Sequence, residues 1–93
     1  MDNIQNYLNM LGINKEGHWE DDHSLYVIPL DDSNEFARIY TKLDNADWLE
    51  LADGDLSLQE EFSSLLYIND DVAISLRANF LDNVYFLEIR EID

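Results

Sequence analysis

The sequence predicts an α+β domain: an antiparallel sheet of about five strands with two helices on one face, in the order α-β-β-β-α-β-β. Three observations carry this prediction. Apolar residues recur at helical spacing in two segments, and strand-length apolar or alternating runs occupy most of the remainder. Turns rich in Asp and Asn separate these segments. With 46% apolar residues, two Trp, five Tyr and four Phe, the 93-residue chain can build a core of its own. No repeat, low-complexity segment or linker divides it, so residues 1–93 read as a single acidic domain.

The first helix is expected over Asp2–Leu11. Ile4, Leu8 and Leu11 share one stripe with Tyr7 beside it, Asp2 or Asn3 can cap the start, and Gly12 stands at the C′ position. A polar stretch follows from Asn14 to Ser24. Leu25–Leu30 has the length of a strand, and Pro29 near its end suits an edge or a terminus. After a turn at residues 31–34, Glu35–Leu43 alternates, with Ala37, Ile39, Thr41 and Leu43 on one side and Phe36, Arg38, Tyr40 and Lys42 on the other. This reads as a second strand. Residues 44–47 form another turn, and Trp48–Ala52 reads as a third strand, with a helical turn ending at Gly54 as the alternative.

Ser57-Leu58-Gln59-Glu60 has the form of a capping box, and Leu58, Phe62, Leu65 and Leu66 follow at helical spacing, so the second helix is expected there. Val72–Leu81 and Val84–Ile92 then make a hairpin. A two-residue turn at Asp82-Asn83 would pair Phe80 with Tyr85, Ala78 with Leu87 and Leu76 with Ile89. It would also set Arg77 opposite Glu88 on the other face.

Twenty-one Asp and Glu face five Lys and Arg, a net charge of −16. Solubility of a small domain needs a net charge of only about 2–8, and the excess repels itself. A surface this negative excludes direct nucleic-acid binding and an anionic membrane as partners; it calls for a basic protein. Between Asp44 and Glu61 there are seven acids and no basic residue. If the first three strands form a meander, Asp31, Asp32, Glu35, Asp53 and Asp55 share one end of the sheet, followed by Glu60 and Glu61. That group is the primary candidate for partner binding. Glu20, Asp21, Asp22, Asp44 and Asp47 would form a secondary acidic patch at the other end. Trp19, set in a polar acidic stretch, is the candidate aromatic anchor, whereas Trp48, beside Leu49 and Leu51, reads as core.

Catalytic and metal chemistry find little support. His18 and His23 bracket Trp19-Glu20-Asp21-Asp22, but their separation matches no common zinc spacing, and there is no cysteine. Asp53-Gly54-Asp55 fails as a calcium loop, because the sixth position is Leu58 and the twelfth Ser64. No nucleophile motif or glycine-rich phosphate loop is present. The expectation is a non-enzyme with no cofactor and no metal. The N-terminus lacks a signal-peptide pattern and no apolar run approaches a membrane span, so a cytoplasmic protein is expected. A homodimer is compatible with the pattern.

In size, acidity, absence of cysteine and absence of catalytic motifs, the whole chain resembles the small acidic inhibitors of phages and mobile elements, anti-CRISPR proteins and other DNA mimics among them. The resemblance is compositional. It implies carboxylates standing in for phosphates on a basic nucleic-acid-binding surface of a host defence or DNA-processing protein. The predicted element order is also similar to that of type III secretion chaperones. The run Phe62–Asn69 followed by a hairpin looks like their second helix and last strands, although the chain stops at Asp93 without that family's further helix. That likeness implies a binding module for a secreted effector. An immunity protein against a basic toxin nuclease is a third reading, with the same physics as the mimic.

Overall fold

The computed structural model describes residues 2–20, 22, 24–55 and 62–92, the side chains of Asp2 and Asp55 apart. The elements are α1 (Asp2–Leu11), β1 (His18–Glu20), β2 (Leu25–Leu30), α2 (Ser33–Asp44), β3 (Glu50–Asp55), β4 (Ser63–Ile68), β5 (Val72–Asn79) and β6 (Val84–Glu91). The architecture is α+β, with two helices and one antiparallel sheet. The sheet has six strands in the order β1-β2-β6-β5-β4-β3.

One face of this sheet carries the core. Ile28 and Leu30 of β2, Leu65 and Tyr67 of β4, alternate residues from Val72 to Ala78 on β5, and Tyr85, Leu87 and Ile89 on β6 are all buried. They join Ile4, Leu8 and Leu11 of α1 and Phe36, Ile39 and Leu43 of α2 in a single cluster. Both helices therefore cover the same face. The other face is less covered: Leu25, Ser75, Leu66, Ile68 and Phe86 are half-buried there, and Val27 is buried.

Helix α1 forms as its apolar stripe predicts and ends in a Schellman motif. The Ile13 N–H donates to the Leu8 carbonyl at 2.9 Å and the Gly12 N–H to the Asn9 carbonyl at 3.1 Å. Gly12 has φ +71°, which a residue with a Cβ adopts only under strain. Pro29 lies beyond the last β1–β2 pair, His18 with Val27, so its missing N–H costs that ladder nothing.

Two elements differ in kind from the sequence expectation, and the observed order is α-β-β-α-β-β-β-β. Glu35–Leu43 is part of α2, not a strand. Asp32 caps this helix by accepting from the Glu35 N–H at 2.8 Å, and Phe36, Ile39 and Leu43 form a buried i, i+3, i+7 stripe. The run had apolar residues on both strand faces, which a two-sided pattern cannot tell from a helix. The Asp32-to-Glu35 spacing, a helix-start signature, decides it. Phe62–Asn69 is not helical either: Ser63–Ile68 form β4, paired with β3 on one side and β5 on the other. Its alternate burial of Ser63, Leu65 and Tyr67 is a strand pattern. The proposed capping box at Ser57–Glu60 and the start of that helix lie outside the described residues. The residues carrying the likeness to secretion chaperones thus make a central strand instead of that family's helix.

Other corrections concern pairing. No meander joins the first strands: β2 pairs with β1 and β6, while β3 sits at the far edge beside β4. The three residues of β1 fall in the polar stretch Asn14–Ser24, where no strand was expected. The third strand is present but runs Glu50–Asp55 instead of Trp48–Ala52.

The C-terminal hairpin is shifted by two residues. Asn79 pairs with Val84, Ala78 with Tyr85, Leu76 with Leu87 and Ile74 with Ile89. A two-residue slip keeps every side chain on its face, so the core-facing set survives. Asn79 holds the longer turn: its Nδ2 donates to Asp82 Oδ2 at 3.2 Å and its Oδ1 accepts from the Asp82 N–H at 3.0 Å. Phe80 leaves the ladder and packs edge-on against Phe36 and Tyr85. Arg77 faces Phe86 in the ladder and reaches Glu88 diagonally, where the two form an ion pair.

Candidate functional site

Because every strand is antiparallel to its neighbours, the acids between strands sort to two ends of the sheet. One end carries the β5–β6 turn. The residues after β2 (Asp31, Asp32) and the last part of β3 (Asp53, Asp55) are both at this end. The strand order, however, separates β2 from β3 by four inter-strand steps, about 19 Å at ~4.8 Å each. That is more than twice the ~8 Å screening length of physiological salt, so these acids act as two groups. Glu60 and Glu61 lie outside the described residues.

The Asp31 group is committed to local structure. The Glu35 carboxylate accepts from Lys15 Nζ at 2.7 Å and from the Asp31 N–H at 2.7 Å, with Arg38 at 3.8 Å. Lys15 also reaches Asp31 at 3.3 Å. The hydrogen bond from Lys15, followed by that from the Asp31 backbone, holds the Glu35 carboxyl below its ordinary range and raises the Lys15 ammonium in turn. With Asp32 occupied as the N-cap, two nearby cations offset three acids, and the field they project is weak.

The secondary patch is split in the same way. Glu20 and Asp22 lie at the β1 edge, while Asp44 and Asp47 adjoin the start of β3, five inter-strand steps away. Asp21 and His23 lie outside the described residues. His18 is exposed, 3.7 Å from Glu20, and among the described residues no group of three His, Asp or Glu is placed to hold a metal ion.

Among the described residues, a further acidic surface is assembled only by the strand order. At the end opposite the β5–β6 turn, four adjacent strands present Glu91 (end of β6), Asp70 and Asp71 (β4–β5 turn) and Glu50 (start of β3). Asp44 and Asp47 come in from the end of α2. A concavity of about 320 Å³ between them is lined by Asp47, Trp48, Glu50, Ile68, Asn69 and Asp70. A second, of about 430 Å³, lies against Met10, Leu11, Thr41, Lys42, Asp47 and Trp48. Trp48 walls both and stacks on Tyr7 with ring centroids 5.9 Å apart.

Aromatic rings underlie this rim and report its field. Tyr67, almost fully buried, donates to Asp44 Oδ1 at 3.5 Å; burial first, then the Asp44 charge, pushes its hydroxyl pKa up to about 12. Burial and then the charges of Asp71 and Glu91 raise Tyr7. Asn69 organises the turn, accepting from the Asp71 and Val72 N–H groups at 2.7 and 2.9 Å and donating to the Trp48 carbonyl at 3.3 Å. The backbone beneath the acids is therefore fixed. The carboxylates of Asp47, Glu50 and Asp70 make no hydrogen bond or ion pair with another described residue.

Sequence reasoning found Asp44 and Asp47 but missed Glu50, Asp70, Asp71 and Glu91 as members of this surface. The sequence Ser-Ser-Leu-Leu-Tyr-Ile at 63–68 does not itself alternate; only its burial in the sheet does. Read as a strand, that segment carries Asn69–Asp71 to the end of the sheet where β3 begins. Trp19 is half-buried against the core, its ring 5.0 Å from that of Tyr26, so it is no freer as an anchor than Trp48. No described helix is long and apolar enough to cross a membrane. Compared with protein-family models, curated proteins and solved structures, the chain matches none.

Proposed function

We propose that this chain is a non-enzymatic acidic binding protein that occupies a basic, nucleic-acid-binding surface of another protein as a nucleic-acid mimic. The observation that carries the reading is the rim of Asp44, Asp47, Glu50, Asp70, Asp71 and Glu91. Six carboxylates stand over four adjacent strand ends, with Lys42 and Arg90 the cations nearest in sequence. Adjacent strands are ~4.8 Å apart, within one screening length, so each carboxylate adds to the field of its neighbours along the rim. A Lys- or Arg-lined channel that tracks phosphates would meet carboxylates on a rigid sheet, with Trp48 available for stacking by a guanidinium. An anti-CRISPR-type inhibitor of a host defence protein and an immunity protein against a basic nuclease share this partner chemistry.

The test is capture on the immobilised chain from a bacterial lysate at about 0.1 M salt, with elution by duplex DNA or by about 0.5 M salt, since attraction between exposed charges weakens as the screening length shrinks. The reading expects nucleic-acid-binding proteins that both treatments release and that a variant with Asp47, Glu50 and Asp70 neutralised does not retain. Partners that resist DNA and salt alike would overturn it.

A further inference from the structure

The outermost strand β3 has a backbone ladder on one side only. Its inner side pairs with β4, and among the described residues no strand lies beyond it. The opposite edge, β1, is half as long. Such an edge is a template for another strand, and its side chains decide which one.

A β-bulge sets those side chains. Glu50 pairs with Ile68 and Leu51 with Tyr67, but the next pair is Asp53 with Leu66, so Ala52 is the extra residue. In a regular strand Glu50 and Asp53 would point to opposite faces. With Ala52 bulged, Glu50 and Asp53 occupy successive positions opposite Ile68 and Leu66, both on the sheet face away from the helices, and the Asp55 backbone pairs with Ser64. The two acidic positions thus line up along this edge at an interval of about 6.7 Å, two strand residues. Asp53 Oδ1 accepts from the Gly54 N–H at 2.8 Å. Gly54 has φ +109°, and a Cβ there would lie 2.1 Å from the Ser64 carbonyl oxygen, so the edge is shaped around a glycine.

We infer that β3 is a docking edge for an extended basic segment of another protein, which adds to the sheet as a seventh strand and carries Lys or Arg at alternate positions facing Glu50 and Asp53. Charge complementarity selects this occupant. A second copy of the chain pairing through β3 would set acids against acids, which is destabilising. The five basic residues of this chain, Lys15, Arg38, Lys42, Arg77 and Arg90, nowhere form an alternating row. Neutral and acidic strands are turned away by the same carboxylates that attract a basic one. At the start of β3 the ladder runs into the concavity of Asp47, Glu50 and Asp70, where a terminal Lys or Arg of the added strand would lie. The inference deepens the proposed function and rests on its basic partner, but it specifies backbone pairing, which a phosphate mimic does not need.

The experiment uses the full chain and a synthetic peptide of about ten residues, near the upper length of a strand, alternating Lys with Thr and Val. Two derivatives carry N-methyl groups on alternate residues, one in each phase, and a permuted peptide has its lysines in one block. Expected are binding that weakens with salt and new hydrogen-exchange protection of amides in 50–55. At least one N-methylated phase should bind roughly tenfold or more weakly despite unchanged charge, from the loss of two or three ladder hydrogen bonds. Equal binding of all four peptides, or protection away from β3, would overturn the edge while leaving the acidic-surface reading standing. Absence of any peptide binding would also overturn it, and the DNA-competition experiment judges the broader function separately.

Discussion

Neutralising the rim should stabilise the fold while removing its binding capacity. Adjacent strand ends lie about 4.8 Å apart, so neighbouring rim carboxylates are on the order of 5–10 Å from one another. Two unit charges ~7 Å apart in water repel by ~0.6 kcal/mol, and a screening length of ~8 Å reduces this to ~0.25 kcal/mol. The triple substitution Asp47→Asn, Glu50→Gln, Asp70→Asn removes on the order of four such near pairs, including those with Asp44, Asp71 and Glu91. None of the three carboxylates has a described partner to lose. The expected gain is about 1 kcal/mol at physiological salt, or roughly 4–8 °C in Tm for a domain of this size. It should rise to about 2 kcal/mol near 0.01 M salt and nearly vanish at about 1 M, as the screening length changes from ~30 to ~3 Å. Urea unfolding of parent and variant at the three salt concentrations measures this directly. A variant less stable than the parent at low salt, or a gain that persists at 1 M, would refute the reasoning, because the rim would then hold the fold together in some way other than as a costly charged surface.

Two further outcomes follow from the interior and the α2 start. Leu87 is fully buried at the centre of the sheet beneath both helices, so Leu87→Ala should cost about 2–5 kcal/mol, read as a lower urea midpoint; a loss below about 1 kcal/mol would mean that the core is not packed as described. Glu35 is held below its ordinary value of 4.5 by Lys15 and the Asp31 N–H. Its folded pKa is lower than its unfolded one, so its stabilisation is present above the unfolded value and is lost as pH falls through the folded value. Parent and Glu35→Gln should therefore differ in stability at neutral pH and converge below pH 4.5; a difference independent of pH would contradict the pairing.

Much of the local structure was legible in the chain. The stripe of Ile4, Leu8 and Leu11 with Gly12 after it defines α1, because helix spacing and a left-handed C′ position are local demands. The strands at Leu25–Leu30 and over Val72–Glu91 follow from apolar runs of strand length, and Asp82-Asn83 marks the hairpin turn, although the register waited on the hydrogen bonds between Asn79 and Asp82. Where an amphipathic run satisfied both periods, as at Glu35–Leu43 and Phe62–Asn69, the sequence pattern was ambiguous. The Asp32 cap and the place of Ser63–Ile68 between two strands decided those cases.

The acidic character and the lack of a metal or nucleophile motif are properties of the sequence, since charge and residue type are set residue by residue. Which acids act together is not. Asp31 and Asp53 share an end yet lie four inter-strand steps apart, while Asp47, Glu50 and Asp70, distant along the chain, line one concavity. Fields between charges fall off within a screening length, so strand order, which depends on nonlocal pairing, determines which carboxylates form a surface and which merely cap a helix.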